Sequence, residues 1–127
     1  MKVYDTRFFF EHFYSKDKSI LEKTKSEIIS TKKRFVSAIV IHEIYHLTLQ
    51  KEGEEVANLR VNLLEKDFKV VDVNSEIAKA SAKLRRKYRI PMADSIVAAT
   101  AQYLKATCIT DDPHIMQIKE IKTSWIM

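Results

Sequence analysis

Residues 42–46 read H-E-I-Y-H, the spacing H-E-x-x-H that is typical of zinc peptidases. In such an enzyme the two histidines would bind zinc, and Glu43 would act as the general base. A second interpretation makes the histidines incidental and Glu43 itself a metal ligand, together with acids from elsewhere in the chain. These interpretations imply different metals and different substrates, so the role of Glu43 is the first question that the sequence raises.

Four acids lie at positions where an ionised carboxylate would need compensation. Glu43 and Asp94 each interrupt the apolar stripe of a predicted helix, which is costly for an unpaired charge. Asp5 and Asp112 each follow a predicted strand. Carboxylates that face one another also repel, and a divalent cation removes both costs. Because Mg²⁺ and Mn²⁺ prefer oxygen ligands, the sequence predicts a site for one of these ions, with Glu43 binding directly or through a water.

Each aspartate also has a purely structural interpretation. Asp5 and Asp112 could cap the helices that follow them, and Asp94 could lie in a first helical turn, where the helix dipole favours an acid. Glu43 has no such role because it lies in the middle of a helix. The peptidase interpretation leaves the three aspartates unexplained as a set. It also lacks the third histidine of the metzincin pattern after residue 46, although downstream glutamates could serve as the third zinc ligand.

The composition excludes several classes of protein. The chain has 127 residues, of which 46% are hydrophobic and 31% charged, so we expect one soluble globular domain over residues 1–127. The single cysteine, Cys108, rules out a disulfide framework, and the single glycine, Gly53, rules out a Walker A loop. The sequence shows neither a membrane-length apolar run nor a signal region, which predicts a cytoplasmic protein.

A net charge of +5 favours a polyanionic partner such as nucleic acid. The densest basic run lies just before the predicted helix of Asp94 and consists of Arg85, Arg86, Lys87 and Arg89, with Tyr88 between them. A second cluster, residues 32–34, precedes the segment of Glu43. Either run could be a solvated helix end. Their positions close to the acids in the sequence predict phosphate contacts, which would weaken with salt.

Apolar periodicity and turn signals predict strands that alternate with helices. The predicted strands cover residues 1–4, 34–36, 68–73, 107–109 and 122–126. The predicted helices cover residues 8–14, 16–30, 39–50, 54–65, 74–88 and 91–104, and a short helix opens at Asp112-Pro113. This order predicts an α/β fold, with a parallel sheet of four to five strands and helices on both faces. Sites in such sheets gather at the carboxyl ends of the strands, where Asp5 and the run Thr110-Asp111-Asp112 fall.

Four segments resemble the PIN domain family, and more narrowly the VapC-like toxin ribonucleases of type II toxin–antitoxin pairs. They are Val3-Tyr4-Asp5-Thr6, residues 35–43 (FVSAIVIHE), residues 92–101 (MADSIVAATA) and Ile109-Thr110-Asp111-Asp112. The resemblance spans the chain, and each segment carries one acid of the family's set: Asp5, Glu43, Asp94 and Asp112. Thr6, Thr110 and Asp111 are additional candidates, and Asp111 could compete with Asp112 for the metal. Arg7 departs from the small polar residue that the family commonly has there.

The resemblance implies a single PIN-like domain that acts as a Mg²⁺- or Mn²⁺-dependent endoribonuclease and hydrolyses RNA phosphodiester bonds. It also implies a cognate antitoxin protein that covers the site, and a homodimer. Three alternatives stay open at this point: a housekeeping RNA-processing nuclease of the same family, a zinc peptidase built on residues 42–46, and a catalytically inactive binding domain.

Overall fold

The computed structural model describes residues 1–126 and has the predicted α/β architecture. Its strands are β1 (Lys2–Tyr4), β2 (Arg34–Ser37), β3 (Lys69–Val71), β4 (Thr107–Ile109) and β5 (Thr123–Ser124). Its helices are α1 (Thr6–Tyr14), α2 (Lys18–Ser30), α3 (Ala38–Glu52), α4 (Glu54–Asp67), α5 (Ser75–Tyr88), α6 (Met92–Leu104) and α7 (Pro113–Met116). All strand pairs are parallel, and the order across the sheet is β3-β2-β1-β4-β5. Among residues 1–126, none of the helices combines the length and the apolar character that crossing a bilayer requires.

The central strand β1 is covered on both faces. Val3 and Tyr4 are both fully buried, and successive side chains of a strand point to opposite faces of the sheet. The ring of Tyr4 packs against Phe8 of α1, with 4.8 Å between ring centroids, and against Phe68, at 5.2 Å. This aromatic cluster holds the start of α1 against the end of β1 and so fixes the position of Asp5 between them.

The strand order places a crevice at the carboxyl ends of β1 and β4. The chain adds β2 and β3 on one side of β1, then crosses over to add β4 and β5 on the other side. Ligands of open parallel sheets bind where the direction of strand addition changes in this way. The backbone N–H of Asp5 donates to the carbonyl of Ile109 at 3.1 Å, so the two strands end side by side.

The structure corrects the predicted buried face of α3. The sequence placed Glu43 within the apolar stripe, whereas the fully buried residues of this helix are Val40, Ile44 and Thr48. Glu43 is half-buried beside that stripe. The buried stripe ends in Thr48, which is polar. A search for apolar side chains alone therefore misses this residue and places the predicted stripe one residue away from the buried one.

Two strands are each three residues shorter than predicted. The predicted strand 68–73 is reduced to β3, because Phe68 closes the end of α4 by donating its N–H to the carbonyl of Leu64 at 2.8 Å. The predicted strand 122–126 is reduced to the two residues of β5. Helix α1 begins at Thr6, two residues earlier than predicted, because Asp5 caps it. These differences leave the sheet order and the positions of the strand ends unchanged.

The corrected face of α3 predicts the effect of core substitutions. Ile44→Ala should lower the free energy of unfolding by about 2–5 kcal/mol, because it leaves a cavity in a fully buried site. Leu63→Ala on α4 is the matched control, since the Leu63 side chain is 61% exposed and its truncation should cost about 0.5 kcal/mol or less. Urea denaturation measures both, and equal losses would contradict this assignment of the core.

Candidate active site

A cleft of about 250 Å³ opens at the carboxyl ends of β1 and β4. It is lined by all four predicted acids and three neighbouring side chains: Asp5, Thr6, Arg7, Phe10, Glu43, Asp94 and Asp112. The acids come from four separate segments of the chain: the end of β1, the middle of α3, the first turn of α6 and the loop after β4. The fold therefore brings together residues that are far apart in sequence.

Asp5 is held by hydrogen bonds at both carboxylate oxygens. Its Oδ1 accepts from the backbone N–H of Thr6 at 2.7 Å, and its Oδ2 accepts from Thr110 Oγ1 at 2.7 Å. Thr110 Oγ1 in turn accepts from the backbone N–H of Asp112 at 3.0 Å. The Thr110 hydroxyl thus connects two of the acids, and Asp5 also serves as the cap of α1.

The environment of Asp5 disfavours its charged form. Burial raises the pKa of its carboxyl to about 6, and the negative charges of Asp94 and Asp112 act in the same direction. The hydrogen bonds from Thr110 and Thr6 lower the pKa, but they offset only part of this effect. The pKa of Asp94 is also raised, first by burial and then by the charge of Asp112. The cleft therefore concentrates negative charge that a cation would stabilise.

Glu43 is positioned by a hydroxyl group from another helix. Its Oε1 accepts from Thr6 Oγ1 at 2.6 Å. The side chain of Ser37 caps α3 by accepting from the backbone N–H of Ile39 at 3.3 Å, which fixes where that helix begins. Thr6 and Thr110, both additional candidates from the sequence, hold carboxylates in place with their hydroxyl groups.

A histidine that the sequence analysis missed lies beside two of the acids. The Nδ1 atom of His114 is 3.1 Å from Asp94 Oδ2 and 3.4 Å from Asp112 Oδ1. Asp112 Oδ1 also accepts from the backbone N–H of His114 at 2.8 Å and so caps α7. The signal in the sequence is the run Asp112-Pro113-His114, in which a histidine follows a helix-capping acid.

Asp111 forms an ion pair and does not line the cleft. Its two carboxylate oxygens accept from Arg7 Nε at 3.0 Å and from Arg7 Nη2 at 3.2 Å. Asp111 is thus paired with Arg7, whereas Asp112 lines the cleft. Arg7, which departs from the family pattern, instead forms a bidentate ion pair at the edge of the cleft.

The two histidines of the H-E-x-x-H motif are directed away from the cleft. His42 and His46 are exposed, and their rings stack on each other with 6.2 Å between centroids. In the described residues, one group of potential ligand atoms lies within 4.8 Å, and it consists of Asp94, Asp112 and His114. The geometry offers no zinc site at residues 42–46.

The two basic runs lie at opposite ends of the strands. Arg85 and Arg86 are exposed at the end of α5, and a short turn connects them to the first turn of α6, where Asp94 lies. Lys87 is paired with Glu120, to which its Nζ donates at 3.1 Å. The cluster of residues 32–34 lies at the amino end of β2, whereas the acids lie at the carboxyl ends of the strands, so closeness in the sequence does not bring this cluster beside the acids.

The residues of the cleft fit a divalent metal ion. The donors are carboxylate oxygens with one imidazole nitrogen at the edge, which are ligands that Mg²⁺ or a first-row transition-metal ion accepts. Burial, together with the charges of neighbouring acids, raises the pKa of Asp5 and of Asp94, and a bound cation would stabilise their charged forms.

Comparison with known proteins identifies a family and close likenesses of fold. A family model described as PIN domain matches residues 2–121. The chain is 27% identical to Ribonuclease VapC2 of Methanocaldococcus jannaschii, in a match that covers 75% of this chain and 72% of that protein.

Several solved structures share the fold of this chain over nearly its whole length. VapBC2 from Rickettsia felis, bound to a promoter DNA fragment, matches with a TM-score of 0.80 at 14% identity, covering 98% of this chain and 97% of that one. VapBC-1 from nontypeable Haemophilus influenzae has a TM-score of 0.80 at 20% identity, with the same two coverages of 98% and 97%. VapC20 of Mycobacterium tuberculosis, described as a sarcin-ricin loop cleaving toxin, has a TM-score of 0.75 at 14% identity and covers 96% of this chain and 99% of that one.

The raised pKa of Asp5 predicts how the metal-free protein responds to pH. Because this pKa rises from 3.8 to about 6 on folding, the folded state keeps a proton that the unfolded state has lost between these values. The contribution of this proton to the free energy of unfolding is complete below pH 3.8 and is lost as the pH rises through about 6. The total loss is roughly 3 kcal/mol at most.

Urea unfolding in the presence of a chelator, at a series of pH values, measures this component. Asp5→Asn should remove it, because asparagine does not titrate. Asp72→Asn, a change at an exposed carboxylate outside the cleft, is the matched control and should keep it. If the wild type and Asp5→Asn show parallel profiles, the assignment to Asp5 is wrong.

Proposed function

The chain belongs to the PIN domain family, and from this membership we propose that residues 1–127 form one nuclease domain, a Mg²⁺- or Mn²⁺-dependent endoribonuclease. The observation that carries the proposal is the convergence of four acids in one cleft at the carboxyl ends of β1 and β4. The 27% identity to a protein named Ribonuclease VapC2 supports RNA as the substrate.

The acids have distinct roles in this proposal. Asp5, Asp94 and Asp112 would hold the ion, and Glu43 would bind it directly or through a water. When bound, the cation supplies Lewis-acid chemistry for phosphodiester hydrolysis: it activates a water and offsets charge on the phosphate oxygens. Thr6 and Thr110 keep the carboxylates of Glu43 and Asp5 in fixed orientations through hydrogen bonds of 2.6 and 2.7 Å.

The proposed partners follow from the same relatives. The Rickettsia felis and Haemophilus influenzae structures are named as VapBC, and another similar structure is a toxin–antitoxin complex from Klebsiella pneumoniae. We therefore propose that this chain is the toxin of such a pair. From the family resemblance we also propose that a cognate antitoxin covers its cleft and that it forms a homodimer. We also propose that it acts on RNA in the cytoplasm. A small neighbouring gene that encodes a DNA-binding protein would distinguish the toxin from a housekeeping nuclease of the family.

The RNA would approach along the basic end of α5. Arg85 and Arg86 are exposed beside the turn that leads to Asp94, whereas Lys87 is paired with Glu120. Contacts from arginine to phosphate raise affinity without reading the sequence of the RNA. We propose Arg85 and Arg86 as the main phosphate contacts, with Lys87 and Arg89 in a lesser role.

Removing one metal-binding acid should abolish cleavage. Asp94→Asn should lower the rate of hydrolysis of a structured RNA in Mg²⁺ or Mn²⁺ by about 100-fold or more, because the neutral amide no longer compensates the ion. Asp72→Asn is the control and should cleave at the wild-type rate. Equal cleavage by Asp94→Asn and wild type would exclude this site, and tightly bound zinc that is lost in His46→Ala would favour the peptidase.

The phosphate contacts should appear in the salt dependence of RNA binding. In an Asp94→Asn background, which prevents cleavage, the double change Arg85→Ala/Arg86→Ala should make the slope of log affinity against log salt shallower by roughly 1 to 1.5. Lys32→Ala/Lys33→Ala removes the same charge from the amino end of β2, away from the acids, and should leave the slope unchanged. Fluorescence anisotropy with labelled RNA measures both slopes, and identical slopes in the two double variants would refute the assignment.

A further inference from the structure

His114 contributes a nitrogen atom to the group of acids in the cleft. Its Nδ1 lies 3.1 Å from Asp94 Oδ2 and 3.4 Å from Asp112 Oδ1. The His114 side chain is 53% exposed, while those of Asp94 and Asp112 are 16% and 21% exposed. The imidazole therefore approaches the two carboxylates from the solvent side.

The backbone fixes the direction of this imidazole. Asp112 caps α7 through a hydrogen bond from the backbone N–H of His114, and Pro113 occupies the first position of that helix. Proline is well suited to this position because its backbone angle already matches that of a helix. The start of α7 thus holds His114 directly beside the cap and facing Asp94.

The distances match those between neighbouring ligands of one ion. In an octahedral site with metal–ligand distances of about 2.1 Å, adjacent ligand atoms are about 3 Å apart. The separations of 3.1 Å and 3.4 Å are close to this value. One ligand atom from each of Asp94, Asp112 and His114 lies within 4.8 Å of the other two. One ion could therefore bind all three residues after only a small adjustment.

We propose that His114 is a nitrogen ligand of the metal site, which therefore takes Mn²⁺, or a similar first-row transition-metal ion, in preference to Mg²⁺. Mn²⁺ and Mg²⁺ both bind carboxylate oxygens, but a first-row transition-metal ion accepts an imidazole nitrogen more readily than Mg²⁺, which keeps its waters. This inference rests on the proposed function, because it adds a ligand to the same metal site and selects among the ions that the site could use.

Pulsed electron paramagnetic resonance of bound Mn²⁺ tests the ligand directly. A nitrogen bound to Mn²⁺ modulates the electron spin echo, and this signature does not depend on RNA cleavage. The full chain loaded with Mn²⁺ should show the modulation of a directly bound nitrogen. His114→Asn and His114→Gln should lose it, while His42→Asn and His46→Asn, matched changes at exposed histidines of α3, should keep it. Circular dichroism checks that each variant is folded.

The preference between ions gives a second readout. Competition titrations should show tighter binding of Mn²⁺ than of Mg²⁺ by the wild type, and His114→Asn should reduce that ratio by about tenfold. Affinity for Mg²⁺ should change little, because the oxygen ligands remain.

The outcomes separate this inference from the proposed function. Mn²⁺ binding without a nitrogen signal, or with a signal that persists in His114→Asn, would overturn the role of His114 and leave the acid site intact. If the wild type binds no Mn²⁺ at all, the metal site of the proposed function fails, and His114 has no ion to bind.

Discussion

The arrangement of the cleft depends on one electrostatic constraint: several carboxylates are gathered in a partly buried space and must be compensated. Asp5 is only 3% exposed, and burial together with the charges of Asp94 and Asp112 raises its pKa to about 6. Protonation is one way to reduce this charge, and binding of a divalent cation is another. A protein that needed only stability would gain from replacing such a cluster with apolar residues. The retained charge therefore fits a function in cation binding.

Two hydroxyl groups and two helix caps hold the acids in place. Thr6 donates to Glu43, and Thr110 donates to Asp5, so each hydroxyl joins separate segments of the chain. Asp5 and Asp112 cap α1 and α7, which fixes their backbone positions at the strand ends. Capping and metal binding were alternative interpretations of these residues in the sequence. The geometry makes them compatible, because a carboxylate has two oxygens and several lone pairs.

The sequence predicts the elements better than the contacts between them. The strands and helices follow from local apolar patterns, and the strand ends that carry Asp5 and Thr110 were predicted within a residue. The buried face of α3 was displaced because Thr48, a polar residue, completes its core stripe. The contact of His114 with Asp94 joins residues 20 positions apart and depends on how α7 packs beside α6, which no local pattern encodes.

The H-E-x-x-H motif shows why a short sequence motif cannot identify a metal site by itself. Burial of Val40 and Ile44 fixes the rotation of α3, and this rotation brings Glu43 to Thr6 at the cleft. Successive residues of a helix are about 100° apart, so the same rotation turns His42 and His46 towards solvent. A zinc peptidase would need both histidines to face a shared ion and a third ligand. In this fold the core packing directs Glu43 to the other acids, and the motif supplies one carboxylate to a cleft whose other acids come from distant segments.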